Sequence, residues 1–538
     1  MNTSYGAGIL TVAVLGSLAV WVWWRSRERP LQRSVAILVL GDVGRSPRMM
    51  YHAESFANLG FVTYVIGNKG ATPIPSLLSS PCVRFRYLSD SPKPLPGTPF
   101  VLYAPRKIAL QTWRILEALL VRVDHPPQFI LVQNPPSIPT LALVWLVSRI
   151  TGSKVIIDWH NLGYSILALK LGNNHPFVRI AKWFEAYFGR VAYAHLFVTR
   201  AMHDRLVEDW DLHGLKVVLH DRPPAHFHQA APSEVHQLFQ RPLPELSAPI
   251  VASFLPKSSP PESTPFTRVV RDQNAYADPI NLVLPSDNTY DNDMAPVSRP
   301  DRPALVVSST SWTPDEDFGL LLDALTIYER KARLADGRLP KVLMVVTGKG
   351  PDRSKYMKKV ASLQQGEGGE SAWEYVRCVS MWLEAADYPI LLGSADLGIS
   401  LHSSSSALDL PMKVVDMFGC GLPVCALDFA CLNELVRDGV NGLVFQNAEQ
   451  LATQLETLLT GFPTSPTLDD LRQSLVRSTP VDPSRALPQG LRSPNSPGAQ
   501  ADHPNWPGGT PERDEWEWSS WAQNWDRVVK PLVISNVH

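Results

Sequence analysis

The chain has little net charge and few cysteines. Lysine and arginine number 50 against 51 aspartate and glutamate, which leaves a net charge of −1. A nucleic-acid binder shows a basic electrostatic footprint, and none is present. The five cysteines (Cys82, Cys378, Cys420, Cys425, Cys431) are odd in number and lack zinc-type spacing. Free, mostly buried thiols of a cytosolic protein account for them. Hydrophobic residues make up 45% of the chain, the share of a globular protein rather than of a multi-span transporter.

One long apolar run stands out against that background. Tyr5–Trp24 (YGAGILTVAVLGSLAVWVWW) carries no charge, and Arg25, Arg27, Arg29 and Arg33 follow it. As a helix rising about 1.5 Å per residue it spans roughly the 30 Å of a bilayer's hydrocarbon core. Basic flanks stay on the cytoplasmic side, which places the rest of the chain in the cytoplasm. A cleaved signal peptide is the rival reading. It lacks support: there is no basic n-region, the run is long, and WVWWRSRER is not a small-residue cleavage site.

From Val35 onward short β-branched runs alternate with helical segments. VAILVL (Val35–Leu40), Phe61–Ile66, FILVQ (Phe129–Gln133), KVIID (Lys154–Asp158), Leu196–Thr199 and Lys216–His220 read as strands. Continuous apolar strands bounded by glycine and proline indicate a parallel sheet covered on both faces. A second series begins at ALVVS (Ala304–Ser308), with KVLMVVT, ADLGISL, Leu422–Leu427 and Gly439–Phe445 behind it. The fold class is therefore α/β, with two Rossmann-like doubly wound domains.

These signals divide the chain at stated boundaries. Residues 1–34 are the anchor and its basic flank, 35–241 the first domain, and 242–303 a proline-rich linker or insertion. Residues 304–477 are the second domain, 478–512 a disordered insertion, and 513–538 a terminal helix that packs on the body. The two proline-rich stretches have little periodicity, and both are expected to be mobile.

Four motifs carry candidate chemistry. Gly41-Asp42-Val43-Gly44-Arg45-Ser46-Pro47 joins a strand to a helix, where glycines let a ligand approach the backbone and the helix N-terminus favours anions. It is not GxGxxG, and no acid ends the next strand, so a dinucleotide site is excluded. A tight structural turn is the alternative. The stretch Ser403-Ser404-Ser405-Ser406-Ala407-Leu408-Asp409-Leu410-Pro411-Met412-Lys413-Val414-Val415-Asp416 sets four hydroxyls before a helix start. Lys413 sits in the first turn, where the helix dipole disfavours a cation and a phosphate would explain one. Asp416, one turn on, suits sugar hydroxyls; the alternative is a serine-rich loop with a solvated lysine.

Asp158-Trp159-His160-Asn161 ends a strand at the carboxyl edge, where open α/β sheets place ligands, and either Asp158 or His160 could act as a base. A structural histidine is the alternative. PTLALVWLVSRI (Pro139–Ile150) and Pro176–Tyr193 mix aromatics with Arg149, Arg179, Lys182 and Arg190. Such mixtures lie in membrane interfaces or, equally, cover sheets as ordinary amphipathic helices.

Together GDVGRSPRM, DWHN, HSSSSALDLPMKVVDMFGCGLPVCA and NELVRDGVNGLVF resemble the dolichol-pathway β-1,4-mannosyltransferase family of asparagine-linked glycosylation. The likeness runs in order through nearly all of Val35–Leu459, outside the proline-rich insertions. It implies a glycosyltransferase B fold whose two domains face a cleft, with an N-terminal transmembrane helix. It further implies GDP-mannose as donor, no cofactor and no metal. The partners implied are GlcNAc2-diphosphate-dolichol as acceptor, the endoplasmic reticulum membrane, and other glycosyltransferases of the pathway, with no nucleic acid. The catalytic body would lie on the cytoplasmic face, and the first β-1,4-mannose would be added with inversion.

Related retaining enzymes carry two glutamates in this region; here Asp416 holds the second position and Leu408 the first, with Asp409 beside it. The donor-site candidates are Ser403, Ser404, Ser405, Ser406, Asp409, Lys413 and Asp416. Glu434, of the family's ELV run, either contacts the donor or caps a helix. Gly41, Gly44 and Arg45 form the glycine loop, and the candidate bases are His160 and Asp42. An α-mannosyltransferase of the same fold and an inactive membrane-tethered scaffold are the rival functions.

Overall fold

Parallel pairing buries a strand on both faces, and the apolar runs of the chain fold that way in two separate sheets. The computed structural model describes residues 28–89, 100–271, 294–310, 312, 316–366, 371–402, 408–476 and 519–534. The run Tyr5–Trp24 and the stretch Ser478–Glu512 lie outside these residues. Among the described residues no helix is long and apolar enough to cross a membrane. All five cysteines are free, four of them buried.

The first sheet holds β1 (Leu31–Asp42), β2 (Val62–Asn68), β3 (Val83–Leu88), β4 (Pro127–Asn134), β5 (Lys154–Trp159), β6 (Val191–Phe197) and β7 (His213–Val218). Their order is β3-β2-β1-β4-β5-β6-β7, parallel throughout. The order reverses between β1 and β4, the point where such sheets bind ligands at their carboxyl ends. Four helices matter for the site: α1 (Pro47–Asn58), α2 (Thr140–Thr151), α3 (Gly163–Leu171) and α4 (Pro176–Gly189). Pro47 at the first position suits α1, because its missing N–H would have no partner there.

The second sheet follows a small antiparallel hairpin, β8 (Thr267–Arg271) with β9 (Met294–Ser298). It comprises β10 (Ala304–Ser309), β11 (Val342–Thr347), β12 (Val376–Met381), β13 (Leu397–Ser400), β14 (Val424–Leu427) and β15 (Gly442–Phe445). The order is β12-β11-β10-β13-β14-β15, again parallel. Every residue of β10 and β11 is buried. Helices α5 (Phe318–Leu334) and α6 (Met412–Gly419) belong to this unit.

The two compact units divide at Asp221 and Arg222, and the described residues from Trp521 belong to the first. Residues 222–241 therefore leave the first domain assigned from sequence. They pack within the second unit: Ala230 N donates to Gly393 O at 3.1 Å, and Phe227 meets Tyr388 edge-on at 6.1 Å. The stretch 242–303 also differs from expectation. Residues 242–271 form two one-turn helices and β8, with Leu246, Val251, Phe254 and Phe266 buried. Isolated apolar anchors hold it, which leaves no period to read; residues 272–293 lie outside the described set.

The terminal helix is two short ones, α7 (Trp521–Val528) and α8 (Lys530–Ile534). Trp521, Trp525, Val529 and Val533 join the first unit's core beside Phe56 and Phe61. Trp525 Nε1 donates to His52 Nδ1 at 3.0 Å, and Tyr193 Oη donates to Leu532 O at 2.7 Å.

Candidate active site

The turn after β1 closes on itself. Asp42 Oδ1 accepts from Gly44 N at 3.0 Å and Oδ2 from Ala71 N at 2.8 Å, with Arg45 Nε 3.4 Å away. Both carboxylate oxygens pin backbone, which is the work of a cap. The space beside Gly44 is filled by the chain itself: a Cβ there would sit 2.3 Å from Ala71 O. A Cβ on Gly41 would meet nothing within 4 Å, so close approach does not explain that glycine. Arg45 is exposed. The structure thus gives Asp42, Gly44 and Arg45 the partners of a structural turn.

The end of β5 is different. Asp158 is fully buried and is gripped on both oxygens by Arg48 Nε and Nη2, each at 2.9 Å. Arg48 also donates to Asp221 Oδ1 at 2.7 Å and to Leu219 O at 3.0 Å. Burial opposes a charge on Asp158, but Arg48, His160 and His52 outweigh it and hold the carboxyl well below its usual range. The His160 Nε2 lies 2.7 Å from Asp158 Oδ2. An ionised carboxylate accepts, so Nε2 donates, and it is Nδ1 that bears the lone pair in the neutral ring. His160 is half-buried, and its backbone N–H donates to Asn134 O at 3.0 Å. His52 stands behind, its Nε2 3.3 Å from Asp158 Oδ2, and burial pushes its pKa down.

Arg48, His52 and Asp221 escaped the sequence reading. The signal was available for Arg48, a cation in the first turn of a helix, which is the same anomaly that singles out Lys413. A second buried acid, Glu185 of α4, accepts from Gly163 N at 3.0 Å and Tyr164 N at 3.1 Å and from Asn134 Nδ2. It fixes the start of α3 directly after His160-Asn161, and burial pushes its pKa up.

In the second unit the candidates gather at the carboxyl edge of β10 and β13. Lys413 is exposed in the first turn of α6, its Nζ 5.8 Å from the centroid of the Tyr388 ring. Tyr388 Oη bonds Ser309 Oγ at 3.0 Å, and burial pushes the phenol up, with Asp416 adding to the shift. Asp416 follows Lys413 by one turn of α6. Asp409 Oδ2 lies 3.9 Å from His402 Nε2, and its carbonyl accepts from Cys431 Sγ at 3.5 Å. Burial pushes the Cys431 thiol up to about 12, with Glu434 and Asp409 contributing. Leu408 is buried and apolar. Ser403, Ser404, Ser405 and Ser406 lie outside the described residues. Ser309 and Tyr388 carried no sequence signal. Gly348, which closes β11, does: its φ is +122°, and a Cβ would lie 1.9 Å from Thr310 O.

Residues 303–461 match the family described as "Glycosyl transferases group 1". A chitobiosyldiphosphodolichol beta-mannosyltransferase of Mus musculus is 42% identical over 463 residues, 86% of this chain and 89% of that protein. This chain belongs to the chitobiosyldiphosphodolichol beta-mannosyltransferase family. The Homo sapiens relative is 41% identical over 82% of this chain and 88% of its own. An Arabidopsis thaliana protein named UDP-glycosyltransferase TURAN is 40% identical over 79% and 89%. Among solved structures, Anabaena Alr3699/HepE with UDP and glucose covers 83% of this chain and 94% of its own, at 16% identity and a TM-score of 0.49. The two parallel, Rossmann-like sheets of this mannosyltransferase family member are the composition of a glycosyltransferase B fold. Lys413, Asp416, Asp409 and Glu434 fall inside the group 1 match, and His160 falls outside it.

Proposed function

We propose that the chain transfers mannose from GDP-mannose to GlcNAc2-diphosphate-dolichol, forming a β-1,4 bond with inversion. The observation that carries this reading is the Asp158–His160 pair at the carboxyl end of β5, in a chain 42% identical to a named β-mannosyltransferase. Inversion needs one displacement. The acceptor hydroxyl oxygen bonds the anomeric carbon as the bond to the diphosphate oxygen breaks, and the proton passes to His160 Nδ1. Asp158 holds the ring by Nε2 and stabilises the imidazolium that forms. GDP leaves with added negative charge, which Lys413 and the N–H groups opening α6 meet. Asp416 accepts from the ribose, and Asp409 and Glu434 lie toward the sugar. No residue in this scheme needs a metal.

Tyr5–Trp24 anchors the enzyme in the endoplasmic reticulum membrane with the body on the cytoplasmic face. The test incubates the full chain with GDP-mannose and a short-chain GlcNAc2-diphosphate lipid, with UDP-sugars in parallel. A mannosylated product sensitive to β-mannosidase is expected. Transfer from a UDP-sugar instead, or a product cut by α-mannosidase, overturns the reading.

A further inference from the structure

We infer that the outward faces of α3 and α4 form a docking surface for an anionic phospholipid bilayer, separate from any transmembrane anchor. Helix α4 is amphipathic the wrong way round for a covering helix. The residues it buries are Val178, Ala181, Glu185 and Gly189, mostly small. Its largest apolar side chains face out: Phe177, Ile180, Trp183 and Tyr187 are 63%, 54%, 60% and 61% exposed. Trp183 and Tyr187 stack at 5.5 Å along that face. Leu169 of α3 adds to it, and Trp145 of α2 joins through an edge contact with Phe188 at 6.1 Å. A contiguous apolar patch of this kind marks an interaction site.

Charge selects the occupant. From residue 161 to 190 the sole acid is Glu185, which is buried against the start of α3. Lys170, Arg179 and Lys182 lie exposed among the aromatics, and Lys182 Nζ sits 5.5 Å from the centroid of the Tyr164 ring. The cores of protein interfaces are depleted in lysine. Tryptophan and tyrosine interleaved with lysine and arginine, with acids excluded, match the headgroup zone of an anionic membrane. The chain's path agrees. Pro30, two residues after the described chain begins, comes 3.9 Å from a Cβ built on Gly152, which ends α2. The other end of the face starts at Gly163, beside His160. If the acceptor is lipid-linked, as proposed above, this surface holds its lipid end while the sugar hydroxyl extends to the base.

The test places a nitroxide on Ile180→Cys in the full chain carrying Cys82→Ser, since the other four thiols are buried. Leu334→Cys, on the second unit, is the control. In phosphatidylcholine–phosphatidylserine vesicles, position 180 should show high access to oxygen and low access to a nickel chelate. Position 334 should show the reverse, and the effect at 180 should weaken in pure phosphatidylcholine. Access to both agents at 180 means a solvated helix, and access to neither means cover by a second copy or another protein; either overturns the inference. This readout needs no turnover, so it stands or falls apart from the proposed reaction. Ile180→Glu with Trp183→Glu should slow mannosylation of a bilayer-embedded acceptor about tenfold. A short-chain soluble acceptor should stay within about twofold of wild type. Equal loss on both acceptors refutes bilayer docking.

Discussion

Lys413 and His160 make opposite demands on their surroundings. Lys413 needs solvent and a nearby anion, and it stands exposed at a helix start where the dipole repels it. Lys413→Ala should lower kcat/KM roughly ten- to a hundredfold, the worth of one charged hydrogen bond, and weaken GDP binding by calorimetry. His160→Ala should depress kcat and leave GDP affinity unchanged. If His160→Ala weakens GDP binding as much as Lys413→Ala, the proposed division of labour is wrong. A second residue-scale effect comes from His195, whose Nδ1 accepts from Trp159 Nε1 at 3.2 Å and whose Nε2 faces His213 O at 3.0 Å. Burial lowers its pKa to about 4. The unfolded ring titrates near 6.5, so the unfolded state binds the extra proton first. Stability is full above pH 6.5 and is lost as pH falls toward 4, by about 3 kcal/mol from this ring. Hydrogen exchange in β5 and β6 should quicken over that window, and less so in His195→Gln.

At the scale of elements, continuous apolar runs decided what could be read. Strands β1, β4, β10 and β11 are buried runs and are plain in the sequence. β3 (VRFRYL) and β12 (VRCVSM) are the outer strands of their sheets, and their arginines interrupt the apolar run. β3 alternates Val83, Phe85 and Tyr87 with Arg84 and Arg86, a two-residue period rather than a buried run, and β12 carries no such period. The carboxyl edge of β5 was legible as a place, because DWHN ends an apolar run. Its wiring was not, since Arg48 and His52 reach Asp158, and Asp221 reaches Arg48, from distant parts of the chain. Helix α7 belongs to this scale too. Trp525→Ala removes a fully buried indole and strands the Nδ1 of His52. About 3–5 kcal/mol should be lost from the first unit, read as a lower denaturant midpoint.

For the whole molecule, both sheets have their own cores, and β1 starts at Leu31. Deleting Met1–Trp24 should therefore leave a folded enzyme that mannosylates a short-chain acceptor in detergent. Loss of folding on that deletion, seen by circular dichroism, would mean that the run packs into the body. The division at Asp221 was hidden in the sequence because residues 222–241 carry no composition shift; packing against Gly393 and Tyr388 assigns them.

The return of Trp521 and Trp525 to the first core has a consequence for synthesis. A ribosome releases the whole second unit before it releases these residues, so the half begun first is sealed last. Until then Phe56 and His52 lack their cover, and the nascent first unit is exposed to chaperones and proteases while the second is already complete. A fragment ending at Asp221 should precipitate or be degraded, and a peptide of residues 519–534 added in trans should restore its solubility. Solubility without the peptide would show that the sheet closes unaided.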